Sequence, residues 1–238
     1  MLPSWRVSGA QHSWPDSPEE LTELQRLLAT ASPPPWRPPP GALAIGACAV
    51  CFARHQMGRG ATGDPAWAAA AVLRGRERLA SATVVAGAGG PYVPGLLALR
   101  EGPSLDAAVR LLEATPEVLL VDATGRDHPR AAGLAIHLGA VLRIATVGVT
   151  HRPLLATGRW PDDERGATAP LLLDGEHVAA WLRTRAGARP LAIHAGWRTT
   201  VEVAVEIVLR ATSGYRTPAP LRCARQLARS ARARDVPK

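Results

Sequence analysis

At 238 residues the chain fits one domain with appended tails, and with 47% of its residues hydrophobic it has ample material for a single core. Its formal net charge of +8, carried mostly by arginine, favours a polyanionic partner, since each phosphate contact by Lys or Arg releases condensed counterions; a basic surface also serves solubility, so charge alone names no partner. Three cysteines make no disulfide framework, the start lacks a signal-peptide pattern, and no apolar run approaches the ~20 residues that span a bilayer. A soluble, cytoplasmic protein with no membrane partner, monomeric, is expected.

Residues 1–16 mix Trp, Ser, Pro and Gly without period and are expected to be disordered or loosely packed. Ser17-Pro18-Glu19-Glu20 then opens a helix, with Ser as N-cap, Pro at the first helical position and Glu at the third, and Leu21, Leu24, Leu27 and Leu28 form one apolar stripe. The helix stops before Ser32-Pro33-Pro34-Pro35. The segment through Pro38-Pro39-Pro40 reads as a stiff extended linker, or as a PxxP ligand for a proline-binding module. Residues 1–41 are thus an N-terminal extension, 42–232 the main domain and 233–238 a basic tail.

Three strands are expected at 42–52, 67–73 and 78–85; the tight Arg74-Gly75-Arg76 turn makes antiparallel neighbours. From Gly90 to Pro103 an aromatic ring, Tyr92, stands between Pro91 and Pro94. Helices follow around 96–99 and 104–113. Val118-Leu119-Leu120-Val121 is a run of apolar residues that reads as a strand buried on both faces and ends abruptly in Asp122. Open α/β sheets bind ligands at such C-terminal strand ends, so Asp122 is either a site carboxylate or a turn or N-cap residue. A helix at 130–138 and a strand at 145–149 complete a right-handed crossover between parallel strands. Short strands at 178–183 and 191–194, a helix at 199–209 and a basic helix at 221–232 follow. Arg222, Arg225, Arg229, Arg232 and Arg234 recur there at helical spacing, either resting on phosphates or facing solvent.

Pro91-Tyr92-Val93-Pro94-Gly95 with Arg100-Glu101, Val121-Asp122 with His128-Pro129-Arg130, Thr146-Val147-Gly148-Val149 and Gly214-Tyr215-Arg216-Thr217-Pro218 together resemble the endonuclease V family, over about Leu43 to Arg229. The resemblance implies an α/β, ribonuclease H-like fold: a mixed sheet of three antiparallel strands followed by parallel strands, with helices on both faces. The first strand would lie beside the one ending in Asp122, and 42–232 would be the catalytic domain. It also implies a DNA-repair nuclease using Mg²⁺, with Mn²⁺ as substitute, that cleaves a phosphodiester 3′ to inosine or another deaminated base in DNA or RNA. The alternative is a catalytically impaired, non-cleaving nucleic-acid-binding protein of the same fold.

Phosphodiester hydrolysis needs an activated water and stabilised phosphoryl charge, which Mg²⁺ on carboxylates provides. The resemblance makes Asp122 and Glu101 the metal-holding pair; otherwise Glu101 is a helix-end carboxylate paired with Arg100. It makes Tyr92, in the Pro91, Val93, Pro94 and Gly95 loop, a wedge that fills the gap left by a turned-out base, against a plain turn tyrosine packed on the core. His151 or Arg152 would hold the phosphate and Arg130 the nucleic acid. His128 would touch phosphate or orient a site group, or have no role. Four positions depart from the family pattern. Cys48 stands where the family has a first-strand metal-binding Asp, and a thiol is a poor Mg²⁺ ligand. His151 and Arg152 follow where a lysine is usual, Trp197 replaces a His, and Ala123-Thr124-Gly125 replaces a His-containing turn. Glu202 matches a usual carboxylate, and Glu202 or Asp127 could supply the missing oxygen. A zinc site on Cys48 and Cys51 is disfavoured, because residues three apart on a strand point to opposite faces.

Overall fold

Residues 14–54 and 58–235 are described by the computed structural model. Along the chain they form α1 (Pro18–Thr30), β1 (Ala44–Phe52), β2 (Pro65–Arg74), β3 (Glu77–Gly87), α2 (Leu97–Arg110), β4 (Val118–Val121), α3 (Leu134–Leu142), β5 (Ala145–Thr150), β6 (Thr168–Leu173), β7 (Glu176–Leu182), β8 (Leu191–Ala195), α4 (Val201–Arg210) and α5 (Ala219–Asp235). The strands make one sheet in the order β3-β2-β1-β4-β5-β8-β7-β6. The β1–β2 and β2–β3 pairs are antiparallel, and β1–β4 and β4–β5 are parallel. Antiparallel pairing resumes from β5 to β8, β7 and β6.

Side-chain alternation along the central strands builds two cores. Ile45, Ala47, Val118, Leu120 and Val147 face α4 and α5, where Ala204, Ile207, Leu221 and Ala224 meet them. Cys48, Leu119 and Val121 point the other way, onto Leu21, Ala98, Leu105, Leu134 and Leu138 of α1, α2 and α3. This two-sided cover explains why β4 is an unbroken apolar run.

Several elements differ from the sequence expectation. The two short helices after Tyr92 are one, α2, which runs through Pro103; the Gly89 N–H donates to the Arg100 carbonyl at 3.2 Å beside that proline. The helix expected from Arg130 starts only at Leu134, because Ala131 is left-handed (φ 50°) and Gly133 is the N-cap. Strand β6 was not expected: Pro170 interrupts its pattern, which is tolerated because β6 is an edge strand of the sheet. In α1, Ser17 Oγ accepts the Glu20 N–H at 3.1 Å as a cap, but Leu27 is 60% exposed and the buried stripe is Leu21, Gln25 and Leu28. Of the segment expected to be loose, residues 1–13 lie outside the described residues, while Trp14 stacks on His137 at 4.5 Å. The Trp36 N–H donates to Arg198 O at 2.7 Å and Arg198 Nε to Pro34 O at 3.1 Å, so the proline-rich segment lies against the turn before α4. Among the described residues, no helix is long and apolar enough to cross a membrane.

Candidate active site

Parallel pairing sets Cys48 of β1 opposite Val121 of β4, so Asp122 leaves the sheet at the rim beside Cys48. Helix α2 brings Leu97, Glu101 and Leu105 to the same rim. With Ala49, Val50 and Tyr92 these residues line a cavity of about 260 Å³. The electrostatics show how closely the polar groups converge. Burial, and then the Asp122 charge, push the Glu101 carboxyl up to about 8, partly opposed by Arg100. The Cys48 thiol is pushed far up by burial, then by Asp122 and Glu101. Asp122 itself is 43% exposed, and its Oδ2 accepts from Arg225 Nη2 at 2.6 Å and Arg225 Nε at 3.2 Å.

A cationic rim borders this acidic pair. Arg216 donates to His151 Nδ1 at 2.9 Å while its other nitrogens donate to the Arg189 and Pro190 carbonyls at 2.6 and 2.8 Å. Burial, then Arg216 and Arg225, lower the His151 pKa, with Asp122 opposing, which places all four groups in one neighbourhood. Along α5, Arg222, Arg225, Gln226, Arg229 and Ser230 line a groove of about 530 Å³. Not every arginine of that helix is free for a ligand. Arg222 lies 3.7 Å over the Tyr215 ring, and Arg232 donates to Phe52 O at 2.7 Å. Arg152 is exposed, and its backbone carbonyl accepts from Thr150 Oγ1 at 2.7 Å.

The loop carrying Pro91, Tyr92, Val93, Pro94 and Gly95 is fastened at both ends. At its start, Gly90 O accepts from Arg100 Nη1 at 2.6 Å, and that guanidinium also lies 4.0 Å over the Phe52 ring and 3.3 Å from Asp64 Oδ2. Arg100 therefore does not neutralise Glu101 by direct pairing. The Tyr92 N–H donates to Arg59 O at 2.7 Å. At the far end, Gly95 O accepts from Arg130 Nη2 at 2.6 Å, His128 Nε2 at 3.1 Å and Gln25 Nε2 at 3.2 Å. Gly95 has φ +79°, a left-handed conformation that favours glycine. Between the anchors the Tyr92 side chain is 49% exposed, so it is not a turn tyrosine packed on the core.

His128, read from sequence as touching phosphate, orienting a site group or having no role, and Arg130, read as a nucleic-acid contact, both hydrogen-bond the loop from behind. His128 is buried, its Nδ1 accepts the Arg130 N–H at 3.2 Å, and burial, then Arg130, lower its pKa to about 4. Gln25, which the sequence reading placed in an appended helix, belongs to this anchor and also accepts Arg130 Nε at 2.6 Å.

Three residues named as possible site groups are elsewhere. Asp127 is fully buried, and its carboxylate accepts the Leu154, Leu155 and Ala156 N–H groups at 2.6 to 2.7 Å, with His194 Nδ1 4.0 Å away. It shapes the loop after His151 and has no oxygen to lend. Glu202 sits in the first turn of α4, bonded to Thr200, and does not line the cavity. Trp197 packs beside Leu28, Ala132 and Ile136, and its N–H donates to Thr146 Oγ1 at 2.7 Å. Cys48 faces α2, whereas Cys51 feels Arg232 and Arg229 of α5, so the two thiols do not share an ion.

A hard cation such as Mg²⁺ wants about six oxygens, and the donor set does not fit it as it stands. Two carboxylates are present, but Cys48 offers a neutral thiol and Arg225 covers an Asp122 oxygen. Among the described residues, no group of three or more His, Cys, Asp or Glu could hold a metal ion.

Comparison with known proteins places this geometry. The family model for endonuclease V matches residues 45–226. Endonuclease V of Streptomyces coelicolor is 36% identical over 221 residues, 92% of this chain and 92% of that protein. Other relatives match over less of their length: for endonuclease V of Nostoc punctiforme, 39% identity extends over 138 residues, 58% of this chain and 62% of that protein. The crystal structure of endonuclease V from Streptomyces avermitilis is similar with a TM-score of 0.82 at 34% identity, covering 94% of this chain and 96% of that one. The Ciona intestinalis endonuclease V, solved with a DNA containing an inosine followed by a ribo-adenosine, shares the fold with a TM-score of 0.76 at 20% identity, over 92% of this chain and 98% of that one. With the family model covering most of the sheet and helices, and a relative matched along nearly its whole length, the chain belongs to the endonuclease V family.

Proposed function

We propose that the protein is a DNA-repair endonuclease that cleaves a phosphodiester 3′ to inosine or another deaminated base in DNA or RNA, working as a cytoplasmic monomer. The observation that carries this reading is that Tyr92, Glu101 and Asp122 line one cavity, bringing a stiffly held ring to the two acidic groups. The inosine-containing DNA bound by the Ciona relative supports the substrate class.

Tyr92 enters the groove and fills the space of a turned-out nucleotide, its loop held rigid by the anchors at Gly90 and Gly95. His151, its Nδ1 engaged by Arg216, keeps Nε2 to donate to a phosphate oxygen, and Arg225 and Arg229 receive the adjoining backbone. Glu101 and Asp122 orient the water at the phosphorus. Nucleases of this family generally use a divalent metal, and Mg²⁺, or Mn²⁺ in its place, is the proposed ion; the thiol of Cys48 and the Arg225 contact are where this chain departs from a complete site for it.

A nicking assay on inosine-containing DNA and RNA, in Mg²⁺, Mn²⁺ or EDTA, tests the proposal. A cut on the 3′ side of inosine that needs metal and disappears in Asp122→Ala is expected. Tight binding with no cut in either metal would replace it with the non-cleaving reading, to which Cys48 and the Arg225–Asp122 pair point.

A further inference from the structure

We propose that Arg225 is the resident cation of the acidic site, occupying Asp122 in competition with a divalent metal ion and so weakening the site's hold on metal. The inference rests on the reading of Asp122 and Glu101 as the metal-facing pair.

Geometry comes first. Nε and Nη2 of Arg225 both reach the same oxygen, Asp122 Oδ2, at 3.2 and 2.6 Å. A metal ion binding a carboxylate oxygen sits about 2.0–2.6 Å from it and brings its own positive charge, so ion and guanidinium repel each other across one acceptor. The Arg225 side chain is 21% exposed and Asp122 43%, so solvent screens this repulsion only in part.

Charge balance agrees. Two carboxylates facing a divalent ion would be neutralised by it; with one guanidinium already present, the net negative charge left for an ion is halved. Cys48 adds no oxygen ligand, since it places a sulfur on the cavity lining and sulfur is a poor partner for a hard cation. The position on β1 that faces the ion therefore offers no carboxylate, and the position on α5 is positive. Both lower the demand for metal, and Arg225 does so by direct occupation.

The competition can be read without any cutting assay. Mn²⁺ is titrated into the full chain and the free ion followed by electron paramagnetic resonance, for the parent protein, Arg225→Gln and Arg225→Met. Roughly tenfold tighter Mn²⁺ binding is expected in both variants, within the usual range for two ligands coupled through one site. Arg225→Lys, which keeps the charge, should stay near the parent, and Asp122→Asn added to Arg225→Gln should erase the gain. Circular dichroism melts check that each variant is folded, and using two neutral replacements guards against one failing to fold. Equal Asp122-dependent Mn²⁺ affinity in the parent and both neutral variants would overturn the competition and leave the metal-facing pair standing. Absence of Mn²⁺ binding in all folded proteins would overturn both.

Discussion

The Tyr92 loop and the acidic rim line the same cavity, yet they are held by different kinds of force. The loop is fixed by redundancy: three donors converge on Gly95 O, and Arg100 and Arg59 hold the other end. The rim is fixed by compensation, with burial and the Asp122 charge raising the proton affinity of Glu101, burial, Asp122 and Glu101 raising that of Cys48, and Arg225 answering a single Asp122 oxygen. A feature built on several neutral or charge-assisted hydrogen bonds tolerates the loss of one. A feature built on a few charges, with a single cation answering them, does not, and the rim should respond to substitution and pH far more steeply than the loop.

The largest effect should come from the rim. Asp122→Ala is expected to lower cutting by about the hundred- to thousandfold that removal of one electrostatic group at a reaction centre costs, while nucleic-acid binding in a filter assay changes little. Comparable loss of binding would mean that Asp122 holds the strand through Arg225 rather than serving the reaction.

Proton linkage separates the two regions by sign. Glu101 takes up its proton more readily folded than unfolded, about 8 against 4.5, so its folded state binds more protons between those values and stability falls as pH rises through that window. His128 behaves oppositely. Its pKa is lowered from 6.5 to about 4, so the stability it contributes is present above about pH 6.5 and lost as pH falls toward 4; buried His137 and His194 act in the same sense. Urea midpoints between pH 6.5 and 8 should therefore decline in the parent and flatten in Glu101→Gln. A decline unchanged in Glu101→Gln would show that the rim's charge is not the cause.

How much of this was legible in the chain depends on how far apart the partners lie. The buried strand ending in Asp122 is a local pattern, and so are the two prolines flanking Tyr92 and the Ser17 cap, and each could be read where it stands. The Arg225–Asp122 pair joins residues 103 apart, and Gln25 reaches Gly95 across 70. Nothing in either segment announces its partner. Arg225 showed only as one member of a basic helical stripe, and Gln25 as a polar break in a leucine stripe; that break was the available signal of a buried hydrogen bond. Asp127 was visible only as a carboxylate in a turn-rich loop, because the N–H groups that saturate it are 27 to 29 residues on. The left-handed Ala131 and the edge-strand Pro170 misled for a different reason: each obeys a constraint set by tertiary position rather than by local preference.

The loop is where smaller effects should be found. Tyr92→Ala removes the exposed ring without touching an anchor. Binding to inosine-containing strands should weaken by about 1–3 kcal/mol, the range for an aromatic group stacked on a base, with the melting temperature almost unchanged. A variant that binds as the parent does would take the ring out of the recognition step.

Smallest of all should be the loss of one anchor. Gln25→Ala leaves Gly95 O with its bonds to Arg130 and His128, so the carbonyl stays satisfied and the loss at that carbonyl should cost about 1 kcal/mol, that of one net hydrogen bond. The same substitution also frees Arg130 Nε, which loses its 2.6 Å contact to Gln25 Oε1. Made on top of Arg130→Ala, however, Gln25→Ala should cost more than it does alone, because His128 then remains as the last of the three side-chain donors on a carbonyl whose conformation is left-handed. A double-mutant cycle on stability and on binding measures this excess. If the two losses simply add, the three donors act independently and the redundancy that distinguishes this loop from the acidic rim does not exist.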